Sequence, residues 1–169
     1  MNEKPKCILC EKDVRVSKVS GKSASFVECN TCGNYEFDHF FEKAYVYMPR
    51  EKRAMLSAYS RNRFERGEKP PELGDDDLLK DIITEYENKT LDEKLKNLIL
   101  YIRKKSHQFG DSVLLEAKKD YPIMYSLSSE GFTEILNIAI AKKLIESTES
   151  GFKLTEEGWK MSTELMKSS

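Results

Sequence analysis

The sequence predicts an α+β fold, mostly helical, and three observations carry that prediction. Two Cys-x-x-Cys pairs, Cys7/Cys10 and Cys29/Cys32, bracket short runs of period-two patterning near the N-terminus. From residue 40 the apolar spacing becomes helical. From about residue 90 the elements follow the order helix, strand, helix, helix, hairpin, helix, which is the layout of a winged helix. Three parts result: a four-cysteine ribbon over 1–40, a helical connector over 41–89, and a winged helix-turn-helix over 90–169.

Each element has a local reason. Val14, Val16 and Val19 lead to a turn at Gly21-Lys22-Ser23, Ser25–Glu28 runs into the second cysteine pair, and Tyr35–Phe37 follows it. That pattern reads as a β-hairpin plus a third strand. A helix over 40–47 is expected, then a second over 49–66 with Pro49 in its first turn, where a missing N–H does no harm. Met55, Leu56, Tyr59 and Phe64 are its expected buried face. Gly67 and Pro70-Pro71 end it, and the polar segment 67–77 is the expected domain boundary. Asp75, Asp76 and Asp77 suit a helix N-terminus. Thr90 and Glu93 have capping-box spacing ahead of Leu91, Leu95, Leu98, Ile99 and Ile102.

Further on, Ser112–Leu115 reads as a short strand and Tyr121–Leu127 as a short helix. Ser128 or Ser129 caps a helix carrying Phe132, Ile135 and Leu136. Strands at Leu144-Ile145 and Phe152–Leu154 form the wing, and Thr155 caps a last helix in which Trp159 is expected to be largely buried.

The cysteines carry the strongest chemical signal. Two residues separate the thiols within each pair, and eighteen separate the pairs. Two such knuckles complete the tetrahedron that Zn²⁺ favours, and all four cysteines of the chain are used. Gly33 after the last cysteine permits the tight turn that aims amides at sulfur. Two disulfides or an iron–sulfur site are the competing readings. A site with four protein ligands leaves no open position for water or substrate, so one structural Zn²⁺ is expected.

Charge narrows the possible roles. The chain carries 28 basic and 29 acidic side chains, net −1, which argues against strong, unspecific nucleic-acid binding. Residues 41–70 hold eight bases and four acids, whereas 71–100 hold four bases and nine acids. Any contact with an anion, a nucleic acid or an acidic partner therefore falls to Arg50, Lys52, Arg53, Arg61, Arg63 and Arg66, unless these are simply a solvated helix face. The expected recognition helix begins with Glu130 and Glu134, which would face phosphates. That favours protein contact or self-association over DNA for the winged helix.

No catalytic constellation is visible. His39 reads as a packed residue and His107 as a cation at a helix end, and no glycine loop cradles phosphate. An enzyme is not expected. No membrane span is expected either, since no run approaches about 18 apolar residues. The start MNEKPKC lacks the apolar core of a signal peptide, so the expected location is cytoplasmic.

The two knuckles, Cys32-Gly33-Asn34-Tyr35, Leu56–Arg61 and Leu154-Thr155-Glu156-Glu157-Gly158-Trp159 together carry a resemblance. The chain resembles the zinc-ribbon and winged-helix region that precedes TIR-like or nucleoside-deoxyribosyltransferase-like effector domains in bacterial proteins, some of them antiviral (phage-defence) proteins. Relatives of that type continue into an effector, whereas this sequence stops at Ser169. The resemblance therefore implies a non-catalytic regulatory or assembly module controlling an effector on a separate polypeptide, or an excised regulatory region. The alternative is a transcription regulator that binds nucleic acid through the winged helix and the basic helix 50–69.

Overall fold

The computed structural model describes residues 4–167. Three strands, β1 (Arg15–Lys18), β2 (Ala24–Cys29) and β3 (Gly33–Asp38), lead into helices α1 (His39–Tyr47) and α2 (Arg50–Arg66). Strand β4 (Glu72–Leu73) and helices α3 (Asp76–Glu87) and α4 (Leu91–Lys105) follow. The C-terminal part has α5 (Ala117–Asp120), a 3₁₀ turn (Tyr121–Met124), α6 (Ser129–Ala141), the hairpin β5 (Ile145–Thr148) and β6 (Gly151–Leu154), and α7 (Glu156–Lys167). The protein is α+β and about 52% helical, with two small sheets among the described residues.

Capping chemistry sets most helix ends. The Asp75 carboxylate accepts from the N–H groups of Asp77 and Leu78. Thr90 and Glu93 close a reciprocal capping box, and Ser128 accepts from the Gly131 N–H. Gly67 stops α2 in the left-handed region at φ 74°, with its N–H returned to the Phe64 carbonyl.

The polar segment 67–77 contributes a strand to the first sheet. Within it, β4 pairs in parallel with β3, placing Leu73 opposite Phe37, and Leu73 is fully buried. The first sheet therefore has the order β1-β2-β3-β4. One apolar cluster runs from Cys7 to Tyr86 and joins Val27, Tyr35 and Phe37 to Leu56, Leu73 and Ile82. A second, from Leu95 to Leu154, centres on Leu98, Ile99, Ile102, Met124 and Phe132. The core thus divides between Tyr86 and Leu95, and the segments 1–40 and 41–89 share one half.

Helix α2 passes between the halves, which explains its buried face. Met55 and Leu56 are buried and Tyr59 partly so, but Phe64 is 47% exposed. Ser57, Ser60, Arg61 and Asn62 are buried instead. A helix covered on several sides shows little apolar periodicity.

In the C-terminal half, only Val113 of the expected strand 112–115 pairs, bridging to Phe152. Residues 121–124 form a 3₁₀ turn that Tyr125 ends in the left-handed region at φ 53°. Trp159 is partly buried rather than enclosed. The Arg103 guanidinium lies 3.9 Å from its ring centroid, and Phe109 meets it edge-on at 5.4 Å. The Thr155 hydroxyl accepts the Gly158 N–H at 3.1 Å and donates to the Lys143 carbonyl at 2.5 Å. This clamp presses α7 onto the start of β5. A Cβ at Gly158 would overlap the Leu144 carbonyl. Gly158→Ala is therefore expected to destabilise the C-terminal half by at least about 2 kcal/mol, as overpacking against backbone does. An unchanged urea midpoint for that variant would disprove the contact.

Candidate metal centre

The second knuckle is the turn between β2 and β3. Cys29 ends β2, Cys32 precedes Gly33, and Cys29 and Gly33 are register partners. Gly33 has φ 74°, and a Cβ there would stand 2.6 Å from the Cβ of Phe64. Both the backbone angle and the close approach of α2 require glycine. The first knuckle, Cys7–Cys10, is a turn closed by Cys7 N–H to the Lys12 carbonyl at 2.8 Å.

The four sulfurs converge. Cys7 and Cys32 are 3.7 Å apart and Cys10 and Cys29 3.6 Å, with all four within 4.8 Å of one another. None is in a disulfide, and only Cys10 is more than slightly exposed. Four sulfurs at about 2.3 Å from one ion would lie about 3.8 Å apart at the corners of a tetrahedron. The set can hold one metal ion.

Three hydrogen bonds support the sulfurs. The Cys32 N–H donates to Cys29 Sγ at 3.3 Å, and the Ser57 hydroxyl donates to Cys32 Sγ at 3.0 Å. Tyr35 Oη lies 3.1 Å from Cys7 Sγ and is fully buried. Such contacts orient ligands and tune their basicity. Crowding splits the titration of the thiols. Hydrogen bonding from Cys10 and then Cys32 pulls Cys29 far below its usual value. Cys10 is driven up, chiefly by its contact with Cys29, and burial drives Cys32 up. Four thiolates this close repel one another, and a cation among them removes the repulsion.

The centre is tied to the C-terminal half by Arg61, which is 4% exposed. Its guanidinium donates to the Asn30 and Thr31 carbonyls inside the second knuckle, at 2.7 and 3.0 Å. It also donates to Glu65 at 2.8 Å and to Asp120 at 3.0 Å. The other Asp120 oxygen accepts the Glu116 N–H at the start of α5. The next residue of α2, Asn62, reaches the Pro122 and Ile123 carbonyls, each at 3.3 Å, and receives Asn97 at 2.9 Å. Every donor named in this polar seam has a carbonyl, amide or carboxylate oxygen as acceptor, as burial demands.

The six basic residues singled out from sequence are dispersed. Arg61 is in the seam. Arg53 pairs with Glu11 at 2.9 Å. Arg63 lies over the Tyr59 ring and pairs with Glu68, which also holds Arg66. Arg50 and Lys52 are exposed at the start of α2. His39 is exposed, with Nε2 2.8 Å from the Ser25 hydroxyl, and His107 is exposed after α4. Sequence reasoning missed Tyr35, Ser57, Asn62 and Asp120, because nothing near them in sequence marks the groups they meet.

Among the described residues, no helix is long and apolar enough to cross a membrane. Comparison with protein families, with curated proteins and with solved structures gives no match for this chain.

Proposed function

We propose that the protein is a non-catalytic regulatory or assembly module in which a structural Zn²⁺ pins a ribbon to a winged helix. The carrying observation is the closed, four-sulfur site joined through Arg61 to Asp120. All four corners are protein ligands, which leaves no position for substrate. Sulfurs within 4.8 Å of one another suit a single ion without bridging sulfides. The order α4, α5, 3₁₀ turn, α6, β5–β6, α7, with Val113 bridged to β6, supports the winged-helix assignment.

Contact with a protein partner is the role the surface of this half favours. The outward face of α6 presents Glu130, Thr133, Glu134, Asn137 and Ile140, with no base before Lys142. The wing adds Glu149 and Glu146, the latter paired with Lys153 at 2.8 Å. Carboxylates on this face repel DNA and suit a basic protein surface. By the resemblance drawn from sequence, that surface belongs to an effector under control, in a bacterial antiviral setting. A transcription regulator reading DNA with α6 is the second reading.

Titration of labelled duplexes at physiological salt separates the two. Binding is expected to be weak, blind to sequence, further weakened by Arg50→Ala, and strengthened by Glu130→Lys. Tight, sequence-selective binding that Glu130→Lys destroys would make the protein a transcription regulator instead.

A further inference from the structure

Between the second knuckle and the C-terminal end of α4 lies an open cleft of about 900 Å³. Its volume is within the range of small-molecule sites, roughly 300–1,000 Å³. Five cations and three carboxylates line it, although the chain as a whole is slightly acidic. Arg15 contributes from β1, Lys105 from the end of α4 and Lys119 from α5. Next to lining residues in sequence, the Lys12 amine reaches the Lys118 carbonyl and the Lys104 amine that of Glu65. Glu65, the innermost carboxylate, is already held by Arg61 and by Lys105 at 3.0 Å.

The cleft also has an aromatic wall. Phe64 is 47% exposed, just past the buried stretch of α2 that ends at Asn62. Its position is set from below, since its Cβ and Cγ rest against Gly33 with no room for a side chain there. Tyr101 is half-buried in the same wall, with the Lys105 amine 5.3 Å from its ring centroid. Asn30 and Asn34 add amide groups on the knuckle side. An exposed aromatic ring held in place, cations around it and amides opposite is the combination that stacks a base and holds its phosphates.

We propose that this cleft binds a nucleotide unit, its base against Phe64 and its phosphates on Arg15, Lys105 and Lys119. The unit is either a free nucleotide or part of a single strand, and the chemistry is common to both. The proposal extends the regulatory reading by supplying a ligand at the junction that the metal and Arg61 hold together. It does not depend on the role of α6.

The test uses the intact, metal-loaded chain. Fluorescently labelled ATP and a labelled single-stranded RNA of about eight nucleotides are titrated separately, with inorganic tripolyphosphate as a third probe. Saturable binding of ATP or of the RNA is expected, and which of them binds identifies the source. Arg15→Glu and Lys119→Glu, both at solvent-facing positions, should each weaken it about tenfold. Phe64→Ala should weaken nucleotide binding about tenfold, the value of one lost stacking contact, and leave tripolyphosphate unchanged. Lys52→Glu, outside the cleft, should change nothing. The proposal is overturned if neither nucleotide probe saturates. It is equally overturned if Phe64→Ala has no effect, if it weakens tripolyphosphate as much as nucleotide, or if Lys52→Glu weakens binding as much as Arg15→Glu. Duplex titration of the α6 face is unaffected by these outcomes, so failure here leaves the proposed partner role standing.

Discussion

Chelation of the metal, or Cys29→Ser, is expected to unfold the first half of the protein as a unit, from the knuckles through α3. The knuckle sulfurs, β2, β3, α2 and α3 share one apolar cluster that ends at Tyr86. The sheet by itself is too small to hold: every residue of β1 is exposed and β4 has two residues. Metal binding in such units supplies folding free energy, on the order of 10 kcal/mol. Protection from hydrogen exchange should be lost across β2, β3, α2 and α3, while α4 and α6, built on the second cluster, stay protected. Elemental analysis of reduced protein should find about one zinc per chain. Less than about half an equivalent of any metal, or a chelated protein whose α2 remains protected, would refute the structural-metal reading.

Arg61→Ala is expected to cost about 3–5 kcal/mol, the usual penalty for leaving buried charges without a partner. It strips Asp120 of its cationic partner and strands two knuckle carbonyls at once, while Glu65 keeps only Lys105. Asp120 is 5% exposed at its side chain, so bulk solvent screens its charge poorly. Arg61→Lys should recover little, because one ammonium cannot span acceptors that a planar fork meets from three nitrogens. Two separate urea transitions should replace one, since the seam is what joins the halves. A single transition at the native midpoint would show that the seam contributes nothing.

The same seam has a pH signature. Burial opposes ionisation of Glu65, but the Lys105 hydrogen bond and the Arg61 charge outweigh it and hold the carboxyl below its usual value. A carboxyl with a depressed folded value binds fewer protons folded than unfolded. Its stabilisation is therefore complete above the unfolded value, about 4.3, and is lost as pH falls through the folded one. Glu65→Gln should flatten this acid limb. Comparing the two proteins separates the effect from acid release of the metal, which both share.

Local chemistry was legible in the sequence where cause and effect lie a few residues apart. Cys-x-x-Cys spacing, the Thr90–Glu93 box, the Asp75 and Ser128 caps and the Gly67 stop each needed only their own neighbourhood. Placement of the basic residues was not legible. Arg61 and Arg50 occur in one charge run, yet one is sealed inside and the other is exposed. A guanidinium paired with Asp120, 59 residues away, has the same local sequence as one paired with water.

What the sequence determined by itself is therefore the four-cysteine set that can hold a metal, the helix ends and the mostly helical class, because thiol spacing, capping and turn geometry are short-range. Only the tertiary structure decided that β4 returns to β3, that the core divides after Tyr86 and that Phe64 faces a cleft. It also placed α2 as the buried seam between two halves. These depend on which surfaces meet, and burial of a polar group is settled by partners that arrive from distant parts of the chain.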